Sequence, residues 1–554
     1  MLRRFFTATG FVLAVLPLAL GATSDHATKV AETPTEEINQ RIRQHWIDHD
    51  IQPSQPATDG EWVRRLFLDL LGRIPTVKEL QDFERMSKRD KKQTLVRTLL
   101  YDERYVSEFA TNWSTIWANL LIGRNGGNER NSLINREGMH KYLRDAFSRN
   151  RGYDAMVMDL ITAEGTNKPG VDDFNGAVNF LSMKLAEKGT QATADSARIF
   201  LGKQVQCTQC HDHPFNNWKQ NQFWELNSFF RQAVSLRRFD RANGMISYVE
   251  LSDQDFGGEG HTPDSAEVYY EVRDATLKAA YPKFIDGREI SNRSGRLSDV
   301  HRRKELATFI LNSEEMPRAI VNRTWSHFFN QGFTKPIDDM GPHNPPTHPD
   351  LLSYLTDQFK ANSYDLRQLM SWIVTSEPYS LSSRITKRNA FDDPAKGERP
   401  LFSHYYVRQM RAEELYDSLL VATRADRLQN KDELDQTRRE WLKQFVVTFG
   451  NDEGMEGSTF DGTITQSLVL FNGKLMTKAL SDEPSSMLYQ LAVVGQPFEK
   501  KIDHLFLAAV ARNASKAEKQ AAKQLLAWRS GNTLEALQDV WWAVLNSNEF
   551  ILNH

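Results

Sequence analysis

Cysteine is almost missing: 554 residues contain two, Cys207 and Cys210. Without a second pair, a zinc site built from two separated thiolate pairs is excluded. Charge of one sign is missing too. The net charge of −3 offers nothing to nucleic acid or to an anionic membrane as partner. Long apolar runs are also absent. The stretch Phe11 to Leu20 is too short to span a bilayer, and no later segment reaches about eighteen uninterrupted apolar residues. The mature chain is therefore expected to carry no transmembrane segment. Glycines do occur in the loop 123–132, but no strand precedes them, which excludes a phosphate cradle.

Apolar residues at 40% and charged residues at 25% describe an ordinary globular chain. Its length exceeds what one core holds, so two or three domains are expected. Thirty-one Phe and twelve Trp suit packing against a flat ligand, although large helical cores account for most of them. Arg3 and Arg4, the apolar Phe11 to Leu20 and the small residues Gly21 and Ala22 read as a signal peptide over residues 1–22. No cysteine near the cleavage site offers a lipid anchor. The expectation is an exported protein, periplasmic or at the cell surface, with residues 23–35 as a polar tether.

The two cysteines sit three apart, and His211, Asp212, His213 and Pro214 follow the second. Two thiols one helical turn apart can each add to a vinyl group on one porphyrin edge. The next residue then offers its imidazole to the iron as an axial ligand. This favours one covalent haem c per chain, at Cys207 and Cys210 with His211 as ligand. Rival readings remain: a thiol redox couple, a small disulfide, or zinc or iron without porphyrin, where His211 and His213 would join the metal. His211 and His213 stand too close in sequence to take opposite faces of one porphyrin, so a sixth ligand should come from elsewhere. The loop 334–350, with His343 and His348, is the first choice and Met183 the second.

The periodicity is mainly α, in two helical blocks with a small strand-rich insert. The first block covers 36–232 and carries the motif, the insert covers 233–297, and the second block covers 301–554. In the first, Thr58 and Asp59 can open a helix through Val63, Leu66, Phe67, Leu70 and Leu71 that stops at Gly72. Thr76 and Glu79 form a capping box, and Tyr105, Phe109, Trp113 and Trp117 make an aromatic core stripe. Thr193 to about Val205 should be the helix that delivers the motif. Asn216 should cap an aromatic helix carrying Trp218, Phe223, Trp224 and Phe229. Asp172 and Asp173 read as a solvated loop pair. Thr347 and Asp350 should cap the helix Leu351 to Phe359, and 450–462 is a polar spacer. The corners at Asn312 and Asn546, each with Glu three residues on, read as reciprocal caps.

Residues Val205 to Phe215 resemble the hallmark of a planctomycete cytochrome-c-like domain of unknown function, and Arg64 to Pro75 resemble its opening. The segments Val321 to Trp325, Pro336 to Met340, Asn344 to Pro346 and Trp542 to Phe550 resemble its companion, a planctomycete surface domain of unknown function. The resemblance spans nearly the whole mature chain. It implies Cys207 and Cys210 as thioether sites and His211 as proximal ligand, and it supplies no reaction. The expected function is an exported c-type haem protein that transfers electrons or serves as a redox subunit, with an unknown redox partner protein. Two alternatives stand beside it: a haem- or metal-dependent enzyme with an open coordination site, and a surface or scaffold protein holding a structural metal or disulfide. Whether the chain is an enzyme at all stays open.

Overall fold

The helix Asp59–Leu71 stands between the two cores of the molecule. Thr58 opens it, its hydroxyl accepting from the Glu61 amide at 3.2 Å, and Gly72 closes it in the left-handed region at φ 74°. Sequence periodicity places an apolar stripe on one face. In the structure, a computed structural model describing residues 33–259, 266–424 and 474–554, every residue from Trp62 to Leu71 is buried. Leu66, Phe67 and Leu70 face an apolar cluster that runs from Ile38 to Tyr406 and includes Ala511. Leu68 turns the other way, into a cluster of residues between Met410 and Ile551 that Ile74 also joins.

A helix buried all round must find partners for its polar residues, because an unpaired charge in the interior costs several kcal/mol. Arg64 donates to the carbonyls of Leu552 at 2.8 Å and Phe550 at 2.6 Å. Arg65 donates to the carbonyls of Tyr379 and Leu381, and its guanidinium lies 3.6 Å from the centre of the Tyr405 ring. Asp69 accepts from Arg408 at 2.7 Å, Tyr379 Oη at 2.7 Å and Asn553 at 2.8 Å. Arg408 in turn holds Glu414, which also takes Arg411 at 2.6 Å. His327 approaches the Asp69 carbonyl at 3.2 Å, its ring 4.7 Å from that of Trp113. One helix of the first block is thus locked to the second block and to the end of the chain.

The fold is mainly α, 53% helical, with short antiparallel strands in small sheets. Of the described residues, four strands lie within 233–297: Ala233–Phe239 pairs with Ile246–Asp253, and Val268–Glu271 pairs with Leu277–Ala280. Three short ones lie outside it: Gly165–Thr166 joins the far edge of Ile246–Asp253, and Arg408–Gln409 pairs with Leu552–Asn553. The capping box at Thr76 forms, and Phe109, Trp113 and Trp117 enter the core. Asp172 and Asp173 are exposed, and only their carbonyls are engaged, by Thr166. Among the described residues no helix is long and apolar enough to cross a membrane. The expected signal peptide over 1–22 and the expected spacer at 450–462 lie outside the described residues.

Several boundaries differ from expectation for local reasons. The helix before the motif is Ala186–Leu201, because Gly202 turns left-handed at φ 62° and leads the chain out ahead of Val205. Asn216 accepts from the Trp218 amide at 3.0 Å, and the aromatic helix begins only at Gln220, whose amide goes to Asp212. Helix Pro349–Ala361 has His348 at its N-cap with no side-chain cap, since the Thr347 hydroxyl bonds the His348 ring instead. At the two corners the expected Asn–Glu reciprocity gives way to a split of tasks. Asn312 and Asn546 donate back to the carbonyls of Thr308 and Trp542, while Ser313 and Ser547 accept from the following helices. Glu549 is drawn off to Arg512 at 2.6 Å.

Two outcomes follow from the buried network. Asp69→Ala leaves Arg408, Tyr379 and Asn553 short of an acceptor in the interior and is expected to cost roughly 3–5 kcal/mol, with Asp69→Asn costing less. Denaturant midpoints at constant slope measure both. Burial, with Arg411 and Arg408 nearby, lowers the His327 pKa from 6.5 to about 3. Between those values the unfolded chain binds a proton that the fold refuses, so stability is full above pH 6.5 and falls as pH drops towards 3. At pH 5 the His327 share of the loss is on the order of 2 kcal/mol. His327→Gln should remove about 2 kcal/mol of the fall in unfolding free energy between pH 7 and 5, a window above the titration of ordinary carboxylates, and leave the share of His348 and His554, whose pKa values burial also lowers.

Candidate functional site

The motif begins where the helix Ala186–Leu201 is clamped to the proline-rich loop of the second block. The Met340 amide donates to the Gly202 carbonyl at 2.7 Å, and Lys203 Nζ donates to the Met340 carbonyl at 2.7 Å. Arg198 and Gln204 both reach the Asp338 carboxylate, at 3.1 and 2.8 Å. A side chain at Gly202 would press on the Met340 sulfur at 3.0 Å, and its left-handed backbone disfavours one in any case.

Beyond this clamp the chain makes a 3₁₀ turn, Gln206–Gln209. Thr208 is its anchor: fully buried, with its hydroxyl donating to the Val205 carbonyl at 2.6 Å. Cys207 lies on this turn and Cys210 closes it at φ −110° and ψ −22°. Both are exposed free thiols. Behind the turn, the Gln209 carbonyl accepts from the Trp224 indole at 3.1 Å and from Gln220 at 3.2 Å. The Trp224 ring stacks on Tyr270, centroids 5.9 Å apart and planes 11° from parallel. The aromatic helix is thus folded back beside the motif, and the strand Val268–Glu271 of the insert buttresses it through Tyr270.

The three residues after Cys210 have distinct local roles. His211 Nδ1 lies 2.7 Å from the Asp212 carbonyl, which only a protonated Nδ1 can bond, so in the neutral imidazole Nε2 keeps its lone pair. The Asp212 carboxylate accepts from the Gln220 amide and from Lys219, both at 3.0 Å. The backbone bond from Gln220, then the bond from Lys219, holds its carboxyl below the usual range. His213 Nδ1 accepts from the amides of Phe215 and Asn216, both at 3.2 Å, and the His213 amide donates to the Trp218 carbonyl. That role in shaping a turn was not foreseen; it leaves His213 with only Nε2 for any metal. Phe215 is 85% exposed beside it, an apolar ring with nothing covering it.

The distant candidates do not converge on the motif. His348 is 2% exposed, with its ring 4.0 Å from His45 and 5.2 Å from Phe402. His343 pairs with Asp339 at 3.1 Å, and Met183 is 43% exposed. Among the described residues, no hydrogen bond, ion pair or ring contact joins any of the three to Cys207–His213. Nor do any three of Cys207, Cys210, His211 and His213 bring ligand atoms within 4.8 Å of one another. The loop 338–340 does touch the chain, at Gly202 to Gln204, just ahead of the thiols.

Removing the shared acceptor is expected to loosen the turn without disturbing the core. In His213→Ala the Phe215 and Asn216 amides lose their partner, about 1 kcal/mol locally, and their hydrogen exchange should speed up roughly fivefold. Exchange at Thr208 should not change.

Comparison with known proteins adds the family. Residues 37–235 match PSCyt2, described as a protein of unknown function (DUF1549), and residues 302–526 match PSD1, a protein of unknown function (DUF1553). No curated protein and no solved structure matches the chain. With most of its length accounted for in that order, the chain belongs to the two-domain proteins in which a PSCyt2 region is followed by a PSD1 region.

Proposed function

We propose that this chain is an exported c-type haem protein that passes electrons to a partner protein, alone or as the redox subunit of a complex. The observation that carries the reading is that Cys207 and Cys210, three residues apart across the end of a 3₁₀ turn, are both exposed free thiols, with His211 next in sequence. Two thiols so placed are both open to reaction from solvent. The donor set fits the group. Cys207 and Cys210 would hold the porphyrin edge by thioether bonds, and His211 Nε2 would ligate the iron. The bond from His211 Nδ1 to the Asp212 carbonyl holds the imidazole in the ligating tautomer, as second-shell acceptors do at metal sites. Exposed Phe215 offers apolar surface to a flat ligand, whose burial would stabilise by about 25 cal/mol per Å² covered.

Bound haem supplies one-electron redox chemistry, and the residues of this chain set its place and access. Trp224 and Gln220 fix the Gln209 carbonyl, which keeps the thiols at the surface while Thr208 ties the turn to the interior. A redox centre at the surface suits electron exchange with another protein. Export is supported by Arg3, Arg4 and the apolar stretch Phe11 to Leu20, and haem c and bare thiols alike favour an oxidising compartment.

The test is expression in a host with haem c maturation machinery. The expected product keeps its porphyrin through acid-acetone extraction and denaturing electrophoresis, and gives a haem c pyridine haemochrome spectrum. Cys207→Ala with Cys210→Ala should lose it, and His211→Ala should retain the covalent group while changing the spin state of the iron. Protein that carries zinc, or iron without porphyrin, overturns the reading.

A further inference from the structure

Away from the motif, three segments of the chain end at one point. Among the described residues, Glu164, Asp253 and His301 form the one group of three such side chains whose ligand atoms all lie within 4.8 Å of one another. Glu164 lies in the PSCyt2 region, Asp253 ends a strand of the insert, and His301 immediately precedes the PSD1 region. Topology brings them together. Gly165 and Thr166 pair antiparallel with Leu251 and Glu250, which lays Glu164 beside the end of the Asp253 strand. Ala233 pairs with Asp253 on the other side, and the preceding residue, Gln232, donates to the Val300 carbonyl and accepts from the Arg302 amide. That grip sets His301 next to the same strand end.

Charge at the junction is not balanced by the protein alone. Buried Arg303 donates to Asp253 Oδ1 at 2.7 Å, and to the carbonyls of Ile161 and Ala163 at 3.0 and 2.9 Å, fixing the backbone just ahead of Glu164. Glu164 and Asp253 together carry two negative charges against the one positive charge of Arg303, whose Nη2 makes no hydrogen bond. No Lys or Arg of the described residues pairs with Glu164. The His301 ring makes no hydrogen bond, although its Nδ1 is shut off from solvent. His301 also stands at the N-cap of the helix Arg302–Leu311 without capping it. An orphaned, buried imidazole nitrogen in a native structure calls for a partner, and here two carboxylates stand beside it.

We propose that Glu164, Asp253 and His301 bind a divalent transition cation of the zinc and manganese class, which ties the PSCyt2 region, the insert and the start of PSD1 together. Two carboxylate oxygens and one imidazole nitrogen suit such an ion better than calcium or magnesium, which take oxygen ligands almost exclusively. Three protein ligands leave room for water to complete the shell. The role is structural: an ion at this junction stabilises the contacts between three segments that no covalent link other than the chain itself holds.

The test uses full-length protein carrying Cys207→Ser and Cys210→Ser, so that thiol binding and haem attachment are both removed and the outcome is independent of the proposed function. Cobalt(II) is the probe. The expected result is one saturable equivalent with d–d absorption and no thiolate charge-transfer band, displaced by zinc and not by calcium, and a rise in melting temperature on binding. Glu164→Gln and His301→Ala, whose wild-type side chains lie at or near the surface, should each weaken binding by roughly tenfold or more, with the helical circular dichroism spectrum unchanged. Absence of a saturable equivalent, or an equivalent that survives both substitutions, overturns the proposal. Asp253→Asn is a poorer variant, since it also disturbs Arg303.

Discussion

A carboxylate with no access to water holds this molecule together. Asp69 lies in the last turn of a helix whose buried stretch, Trp62 to Leu71, is otherwise apolar or arginine, and burial lifts its carboxyl above the usual range while Arg408 and Tyr379 oppose the lift. An ion in that position survives only if its partners are in place, and they come from distant stretches: Tyr379, Arg408 and Asn553. Satisfying one side chain thus requires the second block and the end of the chain to close on the first. Arg64 and Arg65 repeat the logic with backbone carbonyls, which need no charge of their own and are already fixed by local structure. The apolar residues of the same helix supply the larger share of stabilisation. The polar ones decide which surfaces may meet, since a mismatched docking would strand a charge.

The motif obeys the opposite rule. Its chemical groups, the two thiols and the His211 imidazole, are left towards solvent, and the groups that hold it are the ones with little chemistry to offer. Thr208 points inward, the Gln209 carbonyl takes two side-chain donors, and Asp212 receives the first amide of the following helix. Asp212 thereby stabilises that helix end, where a negative charge meets unpaired amides. The division between reactive outer residues and anchoring inner ones lets the site be rigid without being buried.

Much of the helical plan was legible before any coordinates. Capping boxes at Thr76, the glycine stop at Gly72 and the aromatic stripe through Trp113 are local signals, set by groups within one turn of each other, and they form as read. The strand region was legible too, from its β-branched content. Local readings failed where a competitor stood close by: Ser313 and Ser547 took the caps assigned to Asn312 and Asn546, and Thr347 turned to the His348 ring. One missed signal was available. Arg64, Arg65 and Asp69 inside the otherwise apolar run Trp62 to Leu71, too many for one exposed face, mark a stretch buried on all sides.

By itself the sequence determined the helical class, the region of the longer strands, and a thiol pair with histidine at a spacing suited to one porphyrin edge. These depend on neighbours along the chain. Tertiary structure alone decided that the turn is 3₁₀ and leaves Cys207 and Cys210 both exposed, that His213 serves two backbone amides, and that His348 lies against His45 instead of the motif. It also decided that Glu164, Asp253 and His301 meet. Each of these rests on contacts between residues far apart in sequence, or on a competition among several nearby acceptors. Their outcome depends on burial, and burial has no local signature: a carboxylate or an imidazole reads the same in the sequence whether water or a guanidinium will finally surround it.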